Sequence, residues 1–240
     1  MPKNSLVALI PARSGSERVK NKNIKKIGDV HLIGYSIKAA IKSKIFDDIF
    51  VITDSEYYKK IAISYGVSVP FTRPKYISKS TSPDIEWVRW ALKKLSKDKK
   101  TYNYFSILRP TSPFRSANTI RRAFKLFIKN VKKIDSLRAV EECSQHPGKM
   151  WRLKDKKIIP IFDKYYRSIP WHSCQKKVLP KIFVQNASLE ISKTILPLSF
   201  NSISGKKILP FFTKGIEGFD INDKKDILIA NMLIKNKKLI

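Results

Sequence analysis

The sequence predicts an α/β fold in three layers, a mostly parallel sheet with helices on both faces. Three observations carry that expectation. Short apolar runs alternate with helix-length periodic segments from Leu6 to Glu142. The first run, LVALI at 6–10, contains no polar residue, as a strand buried on both faces requires. Arg13, Asp54, Arg73 and Arg109 each fall just after a predicted strand. Right-handed crossovers bring the carboxyl ends of parallel strands to one edge, where ligands bind.

The elements follow in order. Leu6–Ile10 is a strand that breaks at Pro11 into a loop. Leu32–Ile45 places Ile33, Ile37, Ala40 and Ile41 at helical spacing. IFVITD (49–54) is a second strand, Ser55–Tyr65 a second helix stopped by Gly66, and VSVPF (67–71) a third strand. Asp84–Leu95 is a helix with Ile85, Val88, Leu92 and Leu95 on one face and Asp84 near its start. YFSIL (104–108) is a fourth strand, Ser116–Val131 an amphipathic helix, and SLRAVEE (136–142) a fifth strand. Between about 143 and 190 the rhythm breaks. HPGKMWRLKDKKIIPIF and IPWHSCQKKVLPKIF carry prolines, aromatics and short apolar runs, the pattern of a small β-rich insertion within a single domain over 1–240. VQNASLEI (184–191) returns to the main domain. FDINDKKDILIANMLI (219–234) is a loop into a last helix that Asn222 or Asp223 can cap.

Composition bounds the function. At 240 residues and 42% hydrophobic, the chain buries a real core and is not disordered. LVALI is too short for a signal-peptide core, and no stretch approaches the ~20 apolar residues that span a bilayer. A soluble, cytoplasmic protein is the expectation. Cys143 and Cys174 show neither CxxC nor metal-ligand spacing and read as reduced thiols. Lys+Arg 49 against Asp+Glu 19 gives a formal net charge of +30, which raises nucleic-acid binding as a reading. The lysines, however, are scattered in short runs, KDKK (97–100), VKK (131–133), KDKK (154–157) and KNKK (235–238), with no RNP, KH or C₂H₂ pattern. A solvated lysine-rich surface is favoured. Its field draws in polyanionic small molecules, nucleotides included.

The strongest chemical signal is LVALIPARSGSERVKNKNI, 6–24. Ser14, Gly15 and Ser16 allow close backbone approach, and their amides can point at a phosphate. Arg13, Arg18 and Lys22 add fixed charge for a triphosphate. The loop is neither Walker A nor GxGxxG, and a merely solvated basic loop is the alternative. Asp226 reads as an anion in the first turn of the last helix. Arg115 reads as finishing a turn, and His146, His172 and Trp151 as packing or interface residues. Nothing points to zinc or to a Ser-His-Asp triad.

IPARSGSERVKNKNI resembles the opening motif of the acylneuraminate cytidylyltransferases, the CMP-sialic acid synthetases and their relatives. That motif is an apolar strand, A-R, a small-residue loop, and K-N nine and ten residues after the arginine; Ala12, Arg13, Lys22 and Asn23 stand at those places. Further segments follow in the family's order. TRPKYIS (72–78) is similar to R-P-x-x-L/I, LRPTSPFR (108–115) to L-Q-P-T-S-P-L-R, and QHPGKMW (145–151) to H-P-x-K-M. LPKIFVQNASLEI (179–191) is similar to L-P-x-x-[FY]-x-x-N-[GA], and GFDINDKKD (218–226) to D-[IV]-[DN]-x-x-x-D. The resemblance runs from about residue 6 to 235.

The resemblance implies a nucleotide-diphospho-sugar transferase-like, Rossmann-like fold whose insertion serves dimerisation in a homodimer. It implies CMP transfer from CTP to the anomeric hydroxyl of an acidic α-keto sugar, with Mg²⁺ and release of pyrophosphate. Arg13, Lys22 and Asp220 would carry catalysis, and Ala12, Arg13, Ser14, Gly15, Ser16, Arg18, Lys22, Asn23, Arg73 and Asp84 would bind CTP. Arg109, Thr111, Ser112, Gln175, Lys181 and Asn186 would face the sugar, and Asp220 with Asn222 would hold the metal. Arg109 stands where many members have glutamine, Cys174–Gln175 where Arg-Gln is frequent, and Asn222 where some have a second aspartate. N-acetylneuraminic, legionaminic and pseudaminic acids are the candidate acceptors. A Kdo-type enzyme, a transferase using another nucleotide, and a non-catalytic basic nucleic-acid-binding protein are the alternatives.

Overall fold

The structure, a computed structural model, describes residues 4–236. Lys237 and Lys238 of the last lysine run lie outside the described residues. The chain divides into two compact units: one runs to Ala139 and resumes at Asn186, and the other is Val140–Gln185. In chain order the elements begin with β1 (Leu6–Pro11), β2 (Lys26–Ile27), β3 (Val30–His31), α1 (Leu32–Ser43), β4 (Asp48–Ile52) and α2 (Glu56–Ser64). Next come α3 (Asp84–Lys97), β5 (Tyr104–Ile107), α4 (Ala117–Asn130), β6 (Ser136–Glu142), β7 (Trp151–Lys154) and β8 (Lys157–Pro160). The last are β9 (Tyr165–Tyr166), β10 (Ile169–Pro170), β11 (Phe183–Lys193), α5 (Ile195–Ser199), β12 (Ile208–Phe212) and α6 (Lys224–Lys235).

The first unit is built on a six-stranded sheet in the order β12-β6-β11-β5-β1-β4. β1 pairs in parallel with both β4 and β5, and β11 runs antiparallel to β5. Alternation along β1 sorts its side chains into two layers. Leu6, Ala8 and Ile10 pack with Ile33 and Ile37 of α1 and with Ala123 and Phe127 of α4. Val7 and Leu9 pack with Trp87, Val88, Ala91 and Leu92 of α3. This is the three-layer arrangement that the periodicity predicts. A third cluster joins Ile227 and Ala230 of α6 to Val19, Ile27, Leu32, Phe114 and Ile221, fastening the basic loop to the segment that carries Asp220.

The helix ends follow local chemistry. The Ser55 side chain accepts from the Tyr58 amide, and Gly66 follows α2 with φ +86°, which suits a residue without Cβ. Asp223, not Asn222, caps α6; its carboxylate accepts from the Lys225 and Asp226 amides. Asp226 answers by accepting from Asp223 N at 3.0 Å and Asn222 N at 2.7 Å, so it serves the helix start.

One strand is corrected. VSVPF (67–71) makes a single parallel bridge, Ser68 to Phe50, and no ladder. Pro70 has no N–H to extend it. Arg73 still arrives beside β4, because its amide donates to Thr53 O at 2.7 Å. The β2–β3 hairpin, α5 and β12 were not legible in the sequence. β12 (ILPFF) contains Pro210 and lies at the sheet edge, where a missing donor is tolerated.

In the second unit, β7 and β8 form a hairpin whose turn residues Asp155 and Lys156 both have positive φ. β9 and β10 form another, with Arg167 and Ser168 at its turn. His146 is buried; its Nδ1 accepts from Gly148 N at 3.0 Å, and its Nε2 meets Pro180 O at 3.0 Å. It is a packing residue. Cys143 and Cys174 are both free thiols. Among the described residues no helix is long and apolar enough to cross a membrane.

Candidate active site

The parallel pairing of β1 with β4 decides the shape of the basic loop. Ala12 N donates to Ile52 O at 2.9 Å, so the chain leaving β1 runs beside the chain leaving β4. That brings Asp54 onto Ser14: the Ser14 amide donates to Oδ1 at 2.8 Å and its hydroxyl to Oδ2 at 3.1 Å. Ser16 N donates to Ser14 O at 2.9 Å, and the Arg13 guanidinium donates to Gly15 O. The amides of Ser14 and Ser16 therefore already have acceptors in the protein, one in Asp54 and one within the loop. The expectation for those two amides is corrected, because the Asp54 carboxylate takes the Ser14 donor and the Ser14 carbonyl takes that of Ser16. Asn23 is buried, and its Nδ2 donates to Arg13 O at 3.0 Å, tying the turn after the loop back to its start.

The last motif reaches the same place through Ile221. Its amide donates to Thr111 O at 2.8 Å, and its carbonyl accepts from Lys22 Nζ at 2.9 Å. Asp220 is thereby set beside Lys22. Asp220 Oδ2 accepts from Asn222 Nδ2 at 2.9 Å, whereas Oδ1 is buried and has no hydrogen-bond partner among the described residues. Arg18 Nη2 lies 3.4 Å from Asn222 Oδ1. Burial pushes the Lys22 ammonium below the usual lysine value, and the Asp220 carboxylate partly restores it.

The basic loop, with the chain around Arg73–Trp87 and Arg109–Thr111, frames a cavity of about 430 Å³ at the carboxyl edge of the sheet. Arg13, Arg18, Lys22, Arg73, Lys79 and Arg109 line it as cations, with Glu17 and Asp84 as the anions; Ser16, Asn23, Trp87 and Thr111 complete much of the wall. Arg73 is buried, and its Nε donates to Ile77 O at 3.0 Å while its guanidinium lies over the Trp87 ring. Burial lowers its pKa to about 10. Asp84 accepts from Trp87 Nε1 at 2.7 Å and from Arg109 Nη2. Burial works to raise the Asp84 pKa, but the charge and hydrogen bond of Arg109 hold it below the usual carboxylate range.

Not every expected residue lines the cavity. Ala12 and Ser112 are buried, and with Ser14, Gly15, Asp220 and Asn222 they lie outside its lining. Gln175 and Lys181 belong to the second unit, where both are exposed. Asn186 Nδ2 donates to Thr213 Oγ1 at 2.9 Å, and its Oδ1 accepts from Ser188 N at 3.2 Å. Arg115 does more than finish a turn. It is 2% exposed, and it donates to the carbonyls of Ser188 and Arg109 and to Ser36 Oγ, pinning the 109–115 loop to β11 and α1. Lys79 and Trp87 were missed as wall residues, since a lone lysine and a helix-face tryptophan look like surface and core in a sequence.

Two solved structures share this fold. CMP:2-keto-3-deoxy-manno-octonic acid synthetase complexed with CTP matches with a TM-score of 0.70 at 10% identity, over 98% of this chain and 100% of its own. 4-Diphosphocytidyl-2C-methyl-D-erythritol synthase matches with a TM-score of 0.67 at 12% identity, over 98% and 100%. At such identities the likeness is one of fold. That fold is an α/β sheet with a cavity at its carboxyl edge.

The sequence narrows the class. The Cytidylyltransferase family profile matches residues 7–145, and the chain belongs to that family. Post-translational flagellin modification protein B of Campylobacter coli is 32% identical over 98% of this chain and 97% of its own. N-acylneuraminate cytidylyltransferase of Escherichia coli is 30% identical over 98% of this chain and 53% of its own. A pseudaminic acid cytidylyltransferase of Campylobacter jejuni is 32% identical over 68% and 69%.

Proposed function

We propose that this cytidylyltransferase moves CMP from CTP to the anomeric hydroxyl of a nonulosonic acid, releasing pyrophosphate. The observation that carries the reading is the cavity itself: six cationic side chains converge on it, and Asp220 lies beside Lys22. The acceptors named for the relatives, N-acylneuraminic and pseudaminic acids, support the substrate class. In the reaction the acceptor oxygen bonds to the α-phosphorus, the bond from that phosphorus to the pyrophosphate oxygen breaks, and the hydroxyl proton passes to water. Arg13, Arg18 and Lys22 hold the triphosphate and neutralise charge developing on the leaving pyrophosphate. The protein acts by positioning and charge more than by covalent chemistry.

Asp220 fits a divalent cation of the Mg²⁺ type, which takes oxygen ligands, commonly one or two carboxylates together with substrate phosphates. Its buried Oδ1 has no partner among the described residues, whereas Asn222 turns Nδ2 to Asp220 and Oδ1 to Arg18, so Asp220 is the residue that would hold the ion. Such an ion, when bound, adds positive charge at the phosphates. A homodimer is part of the same reading. The second unit exposes Leu153 and Ile158, which face each other across the β7–β8 hairpin, and also Tyr165 and Ile169. Apolar surface of this kind is covered by a partner. A cytoplasmic location is part of the same reading.

Pyrophosphate release tests the reading. The enzyme is supplied with Mg²⁺, CTP and a panel of N-acetylneuraminic, legionaminic and pseudaminic acids, with Kdo, UTP, ATP and GTP as controls. Turnover with CTP and one of the three acids is expected. Turnover with Kdo or another nucleotide in their place, or none at all from folded enzyme, refutes it.

A further inference from the structure

The basic loop between β1 and β2 depends on anchors outside itself. Among the described residues Glu17 and Arg18 make no backbone hydrogen bond, and the Ser16 amide bonds back to Ser14 O within the loop. Two side chains of the neighbouring β4–α2 segment hold the loop. Asp54, just after β4, takes Ser14 with both carboxylate oxygens, the amide on Oδ1 at 2.8 Å and the hydroxyl on Oδ2 at 3.1 Å. Tyr58 of α2 is buried, and its hydroxyl donates to Asn21 Oδ1 at 3.3 Å, where the chain turns with φ +55°. Ser16, Glu17, Arg18 and Val19, between these two anchors, line the cavity, whereas Asp54 and Tyr58 do not.

A carboxylate near a polyanion site repels the ligand, so by charge alone Asp54 is unfavourable there. Its charge also falls on Arg73, which lines the cavity. We propose that Asp54 is a positioning residue for CTP: by fixing Ser14 it sets the 15–19 segment in the shape that receives the phosphates before the nucleotide arrives. The inference rests on the function proposed above. A loop that must order on binding subtracts that entropy from affinity, whereas a loop already ordered in the free enzyme does not. Asp54 acts on the phosphates only through Ser14 and is not itself a catalytic residue.

Three variants separate position from charge. Asp54→Ala removes both bonds and the charge. Asp54→Asn removes the charge alone, since a side-chain amide can accept from the Ser14 N–H and donate to its hydroxyl. Ser14→Ala removes one bond and no charge, and Ser14 does not line the cavity. A residue acting by charge would give tighter CTP binding in both Asp54 variants and no change in Ser14→Ala. A positioning residue gives a different pattern. Calorimetric titration of the full-length enzyme with CTP and Mg²⁺ should show Kd raised about tenfold in Asp54→Ala, the scale of ordering one further residue on binding. Ser14→Ala should raise Kd about threefold, and Asp54→Asn should stay within about twofold of wild type. In steady-state kinetics the acceptor KM should hold within about twofold in all three. Thermal melts check that each variant is folded; if Asp54→Ala is not, Ser14→Ala and Asp54→Asn decide. Unchanged or tighter CTP binding in folded Asp54→Ala or in Ser14→Ala overturns the inference. So does Asp54→Asn binding as weakly as Asp54→Ala, or an acceptor KM that rises in step with the CTP Kd. Should wild-type enzyme bind no CTP, the functional reading fails and this inference falls with it. Wild-type binding with an indifferent Asp54→Ala fails this inference alone.

Discussion

Lys22 separates binding from stability in a measurable way. Its ammonium is half-buried, makes one hydrogen bond to Ile221 O at 2.9 Å, and is held below the usual lysine pKa by burial. Replacing it with methionine keeps the aliphatic stem and removes the charge. The folded state loses one charge-assisted bond but no longer carries a partly desolvated cation, so the melting temperature should move by less than about 3 °C, or roughly 1 kcal/mol for a chain of this size. Triphosphate binding has no such compensation. Loss of one charged contact costs about 1.5–3 kcal/mol, a fall in CTP affinity of about 10- to 100-fold. The sign of the pH dependence follows from the same burial. A lysine whose pKa is lowered on folding sheds its proton earlier when folded, so through that window stability rises with pH while the clamp loses a cation. Wild-type CTP affinity should thus start to fall below the ordinary lysine pKa of about 10.4, and Lys22→Met should lack that limb. Calorimetric titration with CTP across pH, paired with thermal melts, measures both. A melting temperature lowered by more than about 6 °C, or CTP affinity unchanged, would refute the reasoning.

Further outcomes follow from other residues. Arg115→Ala should destabilise the fold by about 3 kcal/mol or more, because the carbonyls of Ser188 and Arg109 and the Ser36 hydroxyl lose their donor and a cavity opens. A melt lowered by about 6–12 °C is the expected reading. Asp220→Asn should weaken the dependence of pyrophosphate release on divalent cation concentration while leaving the melt near wild type, since Oδ1 has no partner among the described residues to lose. Asp84 and Glu217 both titrate below the usual carboxylate range: burial opposes this, but Arg109 and Arg122 respectively overcome it. Their stabilisation is full above the unfolded carboxylate pKa of about 4 and is lost as pH falls through the lower folded values. Urea midpoints followed downward from about pH 5 should fall, and Asp84→Asn should flatten part of that slope.

The layers of the fold were legible because they depend on local pattern. Five consecutive apolar residues at 6–10, Ser55 before a helix and Gly66 after one act within a turn or two of chain. The cations after the strands were legible for a related reason: parallel strands must deliver their carboxyl ends to one edge, so Arg13 and Arg109 had to face a common space. VSVPF was misread because its apolar content suits a strand while Pro70 removes the donor a ladder needs.

What each polar group does there was decided by tertiary structure. Ser14 spends its amide on Asp54, 40 residues away, and Arg109 spends Nη2 on Glu190, 81 residues away. Hydrogen bonds act over about 3 Å, so a donor's use depends on which acceptor the topology brings within reach. Residue type and spacing determined that this chain would build a cationic edge on a parallel sheet. Only the pairing of β1 with β4 and of β5 with β11 determined which of those donors were already taken and which remain for a ligand.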